Sequence, residues 1–185
     1  MSIIDERKRL LADRELRGSE FTLQLSDATD EWLYGLFISV AENRGDLALI
    51  AVGGYGRRDL SPLSDLDVLL LHNNAPDIEE VAEALWYPIW DQGEELGHSV
   101  RTLNETLALA SEDLDTATAL LSSRYIAGSQ PLANELSGKA VDQWKSKAKF
   151  WVPKLAESVY SRHRAKGEVA FMLEPELKEG RGGLR

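Results

Sequence analysis

Two aspartates that alternate with a leucine could together hold a metal ion. Asp65 and Asp67 flank Leu66 at the start of an apolar run, so the two-residue period of a strand places both carboxylates on one face. Neighbouring carboxylates repel each other unless a cation lies between them, and hard oxygen ligands suit Mg²⁺, which also takes substrate phosphates as ligands. The pair therefore predicts a magnesium site.

A glycine turn just before these aspartates could bind phosphate. Gly53 and Gly54 follow the apolar residues 47–52, and the lack of side chains lets backbone N–H groups approach a phosphate closely. Arg57 supplies a forked cation for phosphate oxygens, and Ser64 offers a hydroxyl directly before the first carboxylate. We predict that these four residues bind a nucleoside triphosphate.

Each part of this pattern has a simpler interpretation. A lone Gly-Gly is usually a turn, and Asp-x-Asp after Ser is usually a cap or a turn. The combination is rarer, because strand, double glycine, interval, carboxylate pair and second apolar strand occur in that order. A buried apolar strand gains nothing from carrying two carboxylates that are only solvated. The combination therefore favours a functional site.

Hydrophobic periodicity and breakers predict the elements that position these residues. Strands are expected at 47–52, 66–72 and 97–103, and helices at 3–16, 27–43, 77–90, 114–127 and 132–166, the last with a possible second break at Pro153. Short strands crossed by helices, followed by helices alone, predict an α+β fold with a helical extension. We divide the chain into a helical lead-in (1–45), a core (46–130) and a helical extension (131–185).

Composition narrows the class of protein. The 185 residues are 43% hydrophobic, enough for one buried core, and contain no cysteine. No apolar run approaches the roughly 18 to 20 residues of a membrane span, and the amino terminus lacks the apolar core of a signal peptide. These features predict a cytoplasmic protein with no membrane partner, and the net charge of −10 argues against a nucleic-acid partner.

One basic stretch departs from the overall acidity. Between Lys139 and Lys166 eight basic residues stand against two acidic ones, with Trp144 and Trp151 between them. Such a helix could grip RNA or a triphosphate, or dock on further domains. We favour a solvated helical face whose tryptophans pack inward at a spacing of seven.

The motifs resemble a known family. The order of strand, Gly-Gly, interval and Asp-x-Asp is similar to the signature of the DNA polymerase beta-like nucleotidyltransferase superfamily. The fuller string of residues 53–67, Gly-Gly-Tyr-Gly-Arg and then Leu-x-Pro-x-Ser-Asp-x-Asp, resembles the bifunctional uridylyltransferase/uridylyl-removing enzymes that modify the nitrogen signal protein PII. Segments 97–102, 117–124 and 173–185 support the match, although Arg181 stands where that family usually has proline.

The resemblance implies a fold and a reaction. The fold is a small mixed sheet with flanking helices, and the reaction transfers UMP from UTP to a tyrosine hydroxyl of PII with release of pyrophosphate. Two Mg²⁺ ions at Asp65 and Asp67 would serve an in-line displacement. ATP stays open as the donor, since some relatives adenylylate. A third carboxylate is also expected: Asp113 occupies an acidic position of the family, and its alternative role is to cap a helix.

The resemblance also implies that further domains are missing. Family members are much longer, so we expect an amino-terminal fragment that lacks the uridylyl-removing and glutamine-sensing domains and modifies PII poorly on its own. Two other classes stay open, a small-molecule nucleotidyltransferase and a non-catalytic nucleotide-binding regulatory module. Residues 180–185 favour the PII-modifying class, and the intact pair of aspartates disfavours the non-catalytic one.

Overall fold

The computed structural model of the protein describes residues 2–174, 176, 180 and 181. A short 3₁₀ turn covers Val169–Phe171 near its end. The helices and strands follow in chain order: α1 (Ile3–Ala12), α2 (Gly18–Ala41), β1 (Leu47–Ala51), α3 (Gly53–Gly56), β2 (Leu66–His72), α4 (Ile78–Asp91), β3 (Leu96–Thr102), α5 (Leu103–Ala110), α6 (Leu114–Leu120), β4 (Arg124–Gly128), α7 (Gln130–Ser146) and α8 (Ala148–Lys166).

The four strands form one mixed sheet in the order β3-β2-β1-β4. Strand β1 runs antiparallel to β2 and to β4, whereas β2 and β3 are parallel. Parallel neighbours need a crossover connection, and α4 provides it here. This arrangement confirms the predicted α+β class, a small mixed sheet with flanking helices.

Both faces of the sheet are buried, and the carboxylate strand shows how the site escapes burial. Leu66, Val68 and Leu70 belong to a core that they share with α2 and α4. On the other face Leu69 and Leu71 are also almost fully buried, but Asp67 at the beginning of the strand is only half-buried. The partly exposed carboxylate of β2 therefore lies at the end of the strand nearest the glycine turn.

The helix predicted over 114–127 is wrong in its second half. Helix α6 ends at Leu120, and Arg124–Gly128 forms β4 against β1. A short apolar run cannot be assigned to helix or strand by periodicity alone. The free edge of β1 decides the matter, because its backbone groups need partners that only a distant segment supplies.

Helix α2 begins at Gly18, earlier than the predicted start at Asp27. Leu25, Leu33 and Phe37 recur along one side of the helix and are almost fully buried in the core. The polar residues Ser26 and Thr29 on that side donate their hydroxyls to the carbonyls four residues earlier, each at 2.7 Å. The helix therefore continues through a stretch whose polar residues hid its apolar face.

The chain divides into two compact units, one up to Asp142 and one from Gln143 onward. In the second unit the helix breaks at Lys147 and not at Pro153, which lies inside α8. The break allows Trp144 and Trp151 to stack with their centroids 6.3 Å apart and their planes 3° from parallel. Trp151 is buried, so these tryptophans pack together, and the role of the basic stretch stays a prediction.

Over the part of the chain that the structure describes, no helix combines the length and the apolar composition needed to cross a bilayer.

Candidate active site

The glycine turn lies directly against the carboxylate strand. The N–H of Val52 donates to the carbonyl of Asp67 at 3.0 Å, so the pairing of the two strands continues to the turn. Gly53 has a φ of +59°, in the left-handed region that favours glycine. A Cβ atom placed at Gly53 would lie 3.1 Å from Asp67 Oδ2. The structure therefore brings together Gly53 and Asp67, two residues that the sequence assigned to one site.

A second glycine closes the other side of the same carboxylate. Gly97 of β3 is paired with Asp67 across the parallel strands, and a Cβ atom at Gly97 would overlap Asp67 Oδ1. The side chain of Asp67 thus lies between two backbones that lack side chains. The sequence pattern did not assign this role to Gly97, although a glycine inside a strand is a known signal of close approach.

The two aspartates stand on either side of the buried Leu66 and differ in exposure. Asp67 lies in β2 and is half-buried, whereas Asp65 is exposed just before β2 begins, and their placement on one face stays a prediction. The site therefore combines one exposed and one half-buried carboxylate at the beginning of β2.

Ser64 and Arg57, the predicted phosphate-binding hydroxyl and cation, each have a local partner. The Ser64 hydroxyl accepts a hydrogen bond from the N–H of Ser61 at 3.0 Å, which holds the loop that leads to Asp65. Arg57 Nε lies 3.0 Å from Asp59 Oδ2, and both side chains are more than half exposed. Such a surface ion pair is worth at most about 1 kcal/mol, so it leaves Arg57 available to a phosphate group.

Asp113 caps the first turn of α6. Its carboxylate accepts the N–H of Thr116 at 2.6 Å, and hydrogen bonds from the side chain and backbone of Thr116 lower the pKa of Asp113. Among the described residues, no three acidic or histidine side chains form a group that could hold a metal. The capping role is therefore observed, and the assignment of Asp113 as third catalytic carboxylate stays a prediction.

The donor set at Asp65 and Asp67 nevertheless fits Mg²⁺. This ion usually keeps several waters and is bound through one or two carboxylates plus substrate phosphates, not by a complete cage of protein ligands. Two carboxylates beside a glycine turn provide that kind of partial site, with Gly53 and Gly97 leaving space around Asp67.

Behind the turn lies a polar network of three residues from separate elements. The hydroxyl of Tyr55, in α3, donates to Asp30 Oδ1 of α2 at 2.6 Å. Arg124 of β4 donates to both oxygens of Asp30 and also to the carbonyls of Tyr55 and Gly56, at 3.2 and 3.3 Å. We call Asp30, Tyr55 and Arg124 the turn network.

The turn network should make the free energy of unfolding depend on pH in the alkaline range. Burial, followed by the charge of Asp30, raises the pKa of Tyr55 well above its ordinary value of 10.0. Because the folded state favours the neutral phenol, this contribution is complete below pH 10 and is lost as the pH rises toward the folded-state pKa. We expect the free energy of unfolding to fall by about 1.4 kcal/mol per pH unit in that range.

Urea unfolding at a series of pH values from about 8 to 11 measures this slope. Tyr55→Phe removes the titrating group and is expected to flatten the curve. Tyr34→Phe, at a half-exposed position, is the control and should retain the wild-type slope. Equal slopes for Tyr55→Phe and wild type would contradict the assignment.

The chain is similar to known proteins. Residues 36–118 match the nucleotidyltransferase domain family. The chain is 42% identical over 181 residues to the bifunctional uridylyltransferase/uridylyl-removing enzyme of Streptomyces coelicolor, covering 97% of this chain and 22% of that protein. The corresponding enzyme of Mycobacterium tuberculosis is 45% identical over 185 residues, covering 97% of this chain and 23% of that protein.

The resemblance inferred from the motifs is thereby confirmed. This chain carries a nucleotidyltransferase domain, and nearly all of it matches the amino-terminal part of bifunctional uridylyltransferase/uridylyl-removing enzymes. It spans about a fifth of the length of these curated relatives. Among solved structures, a toxin–antitoxin complex with AMP-PNP is 16% identical with a TM-score of 0.40, covering 69% of this chain and 98% of that chain.

Proposed function

We propose that this chain transfers UMP from UTP to a tyrosine hydroxyl of the PII signal protein and releases pyrophosphate. The contact between the glycine turn and the half-buried carboxylate carries the proposal, because it provides for phosphate and metal at one point. The relatives named as uridylyltransferases supply the choice of nucleotide. PII is the acceptor that the resemblance implies.

The chemistry addresses a poor nucleophile. A tyrosine phenol titrates near 10, so at neutral pH little of it is ionised. Mg²⁺ bound at Asp65 and Asp67 would favour the ionised oxygen and neutralise the charge that develops on pyrophosphate. The new bond joins the tyrosine oxygen to the α-phosphorus, the bond from that phosphorus to pyrophosphate breaks, and the phenolic proton is released.

The residues of the chain bind and orient the reactants. The carboxylate of Asp67 lies close to the backbones of Gly53 and Gly97, at positions where any larger residue would crowd its oxygens. The N–H groups of the glycine turn, with Arg57 and Ser64, hold the β- and γ-phosphates. This places the α-phosphorus beside the carboxylates with the leaving pyrophosphate toward the turn.

The decisive experiment uses PII as the acceptor and intact-mass spectrometry as the readout. The protein is incubated with PII, Mg²⁺ and either UTP or ATP, and we expect a uridylyl mass increase on PII with UTP only. An adenylyl increase with ATP would replace the proposed donor. Binding of UTP without modification of PII would contradict the acceptor and favour the small-molecule or regulatory alternative.

Binding by itself is tested at Gly54. In the structure the nearest atom to a Cβ at this position is Arg57 Nη2 at 3.9 Å, so a larger side chain fits the folded chain. We expect Gly54→Val to weaken UTP–Mg²⁺ binding about tenfold or more, equivalent to about 1.4 kcal/mol, since the branched side chain occupies the phosphate position. Isothermal titration calorimetry measures the affinity.

Gly138→Val provides the matched control for this variant. Gly138 lies exposed in α7 with no atom within 4 Å of its Cβ position, so the same change is made in open space away from the turn. The control should bind UTP like the wild type. Wild-type affinity in Gly54→Val would move the phosphate site away from the glycine turn.

A further inference from the structure

We infer that Arg124 and Asp30 are positioning residues for the reaction, and that they hold the glycine turn in the conformation that binds the triphosphate. The inference rests on the proposed nucleotidyl transfer and adds to it two residues that belong to no recognised phosphate-binding motif of the chain. They act through the turn and touch no substrate.

The contacts of Arg124 are concentrated on the turn. Its guanidinium donates to the carbonyls of Tyr55 and Gly56 and to both oxygens of Asp30, and it lies 5.2 Å from the centre of the Tyr55 ring. Asp30 in turn accepts the Tyr55 hydroxyl. The backbone and the side chain of the turn are thus both held by one ion pair.

These bonds determine the orientation of peptide groups. The carbonyl and the N–H of one peptide point in opposite directions, so fixing the carbonyls of Tyr55 and Gly56 fixes the planes of the peptides that lead to Gly56 and Arg57. Gly56 is packed closely on the same side, because a Cβ there would lie 3.1 Å from the carbonyl of Ala51 and would overlap that of Ser122, so no larger residue fits at this position. The turn is therefore in contact with β1, with β4 and with the loop that precedes β4.

Stability alone does not account for such an arrangement. The side chains of Asp30 and Arg124 are about four-fifths buried, and a buried ion pair often contributes less than well-packed apolar residues would. Burial acts to lower the pKa of Arg124, yet the hydrogen bonds and charge of Asp30 outweigh it and raise that pKa. What the pair provides and apolar residues do not is a set of directed hydrogen bonds to the turn.

A second arginine of the same compact unit offers a matched control. Arg44 binds Asp46 and Asp77, with distances of 2.8 and 2.7 Å, and its side chain is 28% exposed. It precedes β1, whereas the glycine turn follows β1, so the two networks lie at opposite ends of that strand. Arg44 therefore shares the chemistry of Arg124 without contact to the turn.

The test compares Arg124→Lys with Arg44→Lys, because lysine keeps the charge but loses the forked donors. Calorimetry gives the affinity for UTP–Mg²⁺, steady-state kinetics give kcat and KM for UTP and for PII, and thermal unfolding gives stability. We expect Arg124→Lys to weaken UTP binding about tenfold or more with little change in KM for PII. Arg44→Lys should lower the melting temperature without altering UTP affinity.

Asp30→Asn is the second variant, for the case that the lysine variant does not fold. Its amide oxygen remains an acceptor for Tyr55 and for Arg124. It should show the same selective loss of UTP affinity in a smaller amount. Wild-type UTP affinity and kcat in a folded Arg124→Lys or Asp30→Asn protein would overturn the inference and leave the proposed function standing. If the wild type itself bound no UTP, the proposed function would fall and this inference with it.

Discussion

Asp67→Asn is expected to reduce nucleotidyl transfer by about 100-fold or more. Changes to residues that only support a metal ligand already cost up to about 100-fold in activity, and this change alters the proposed ligand itself. Asparagine has nearly the same shape, so it fits between Gly53 and Gly97, but it lacks the negative charge that holds Mg²⁺. Asp65→Asn should have a similar effect. The fold should be retained in both, and loss of the mutual repulsion should leave thermal stability in metal-free buffer unchanged or higher.

The rate of PII labelling at a series of Mg²⁺ concentrations measures this effect, and circular dichroism checks the fold. Asp142→Asn, at an exposed position of α7, is the control and should behave like the wild type. Retention of more than about a tenth of the activity by both Asp65→Asn and Asp67→Asn would refute a metal-dependent mechanism at this pair.

Gly97→Ala is the second change with a large expected effect. Its methyl group would overlap Asp67 Oδ1, the carboxylate oxygen of the residue paired with Gly97 across β2 and β3. The carboxylate must then rotate away from Gly97 and leave its present orientation. Misplacement by about 1 Å can cost about 100-fold in rate, so we expect a loss of that order in kcat/KM.

Gly35→Ala is the control for this substitution. Gly35 lies inside α2 with no atom within 4 Å of its Cβ position, and alanine there should stabilise the protein by up to about 1 kcal/mol. The double variant Gly97→Ala/Asp67→Asn gives the sharper measurement. If Gly97 acts only through the carboxylate, adding it to Asp67→Asn should cost nothing further, and an additive loss would assign Gly97 another role.

Local rules predicted the parts of the site that are local in sequence. The two-residue period of a strand predicts that Leu66 and Asp67 face opposite sides, and the structure buries Leu66 while leaving Asp67 half-buried. Gly97 and the pair of Asp30 and Arg124 escaped prediction because their roles arise from contacts between separate elements. Asp30 and Arg124 are 94 residues apart, and no spacing rule reaches that far.

The same contrast explains the fold. The order of strands and helices indicated α+β, since it depends on patterns within each segment. The strand Arg124–Gly128 was mistaken for helix because its stability comes from β1, which lies far away in sequence. Asp113 shows the middle case: its capping bond is local and was foreseen as one of two roles, and its catalytic role stays a prediction.

The register of β2 against β1 decides whether Asp67 lies outside the core. Asp67 is the half-buried exception in a strand whose neighbours Leu66, Val68 and Leu70 belong to the core. A slip of one residue against β1 would turn the carboxylate into that core and send the apolar side chains to the other face. Burying an unpaired charge is costly enough to prevent such a state from persisting. Misregistered molecules should therefore be exposed to proteolysis, and they should not accumulate as folded but inactive competitors for substrate.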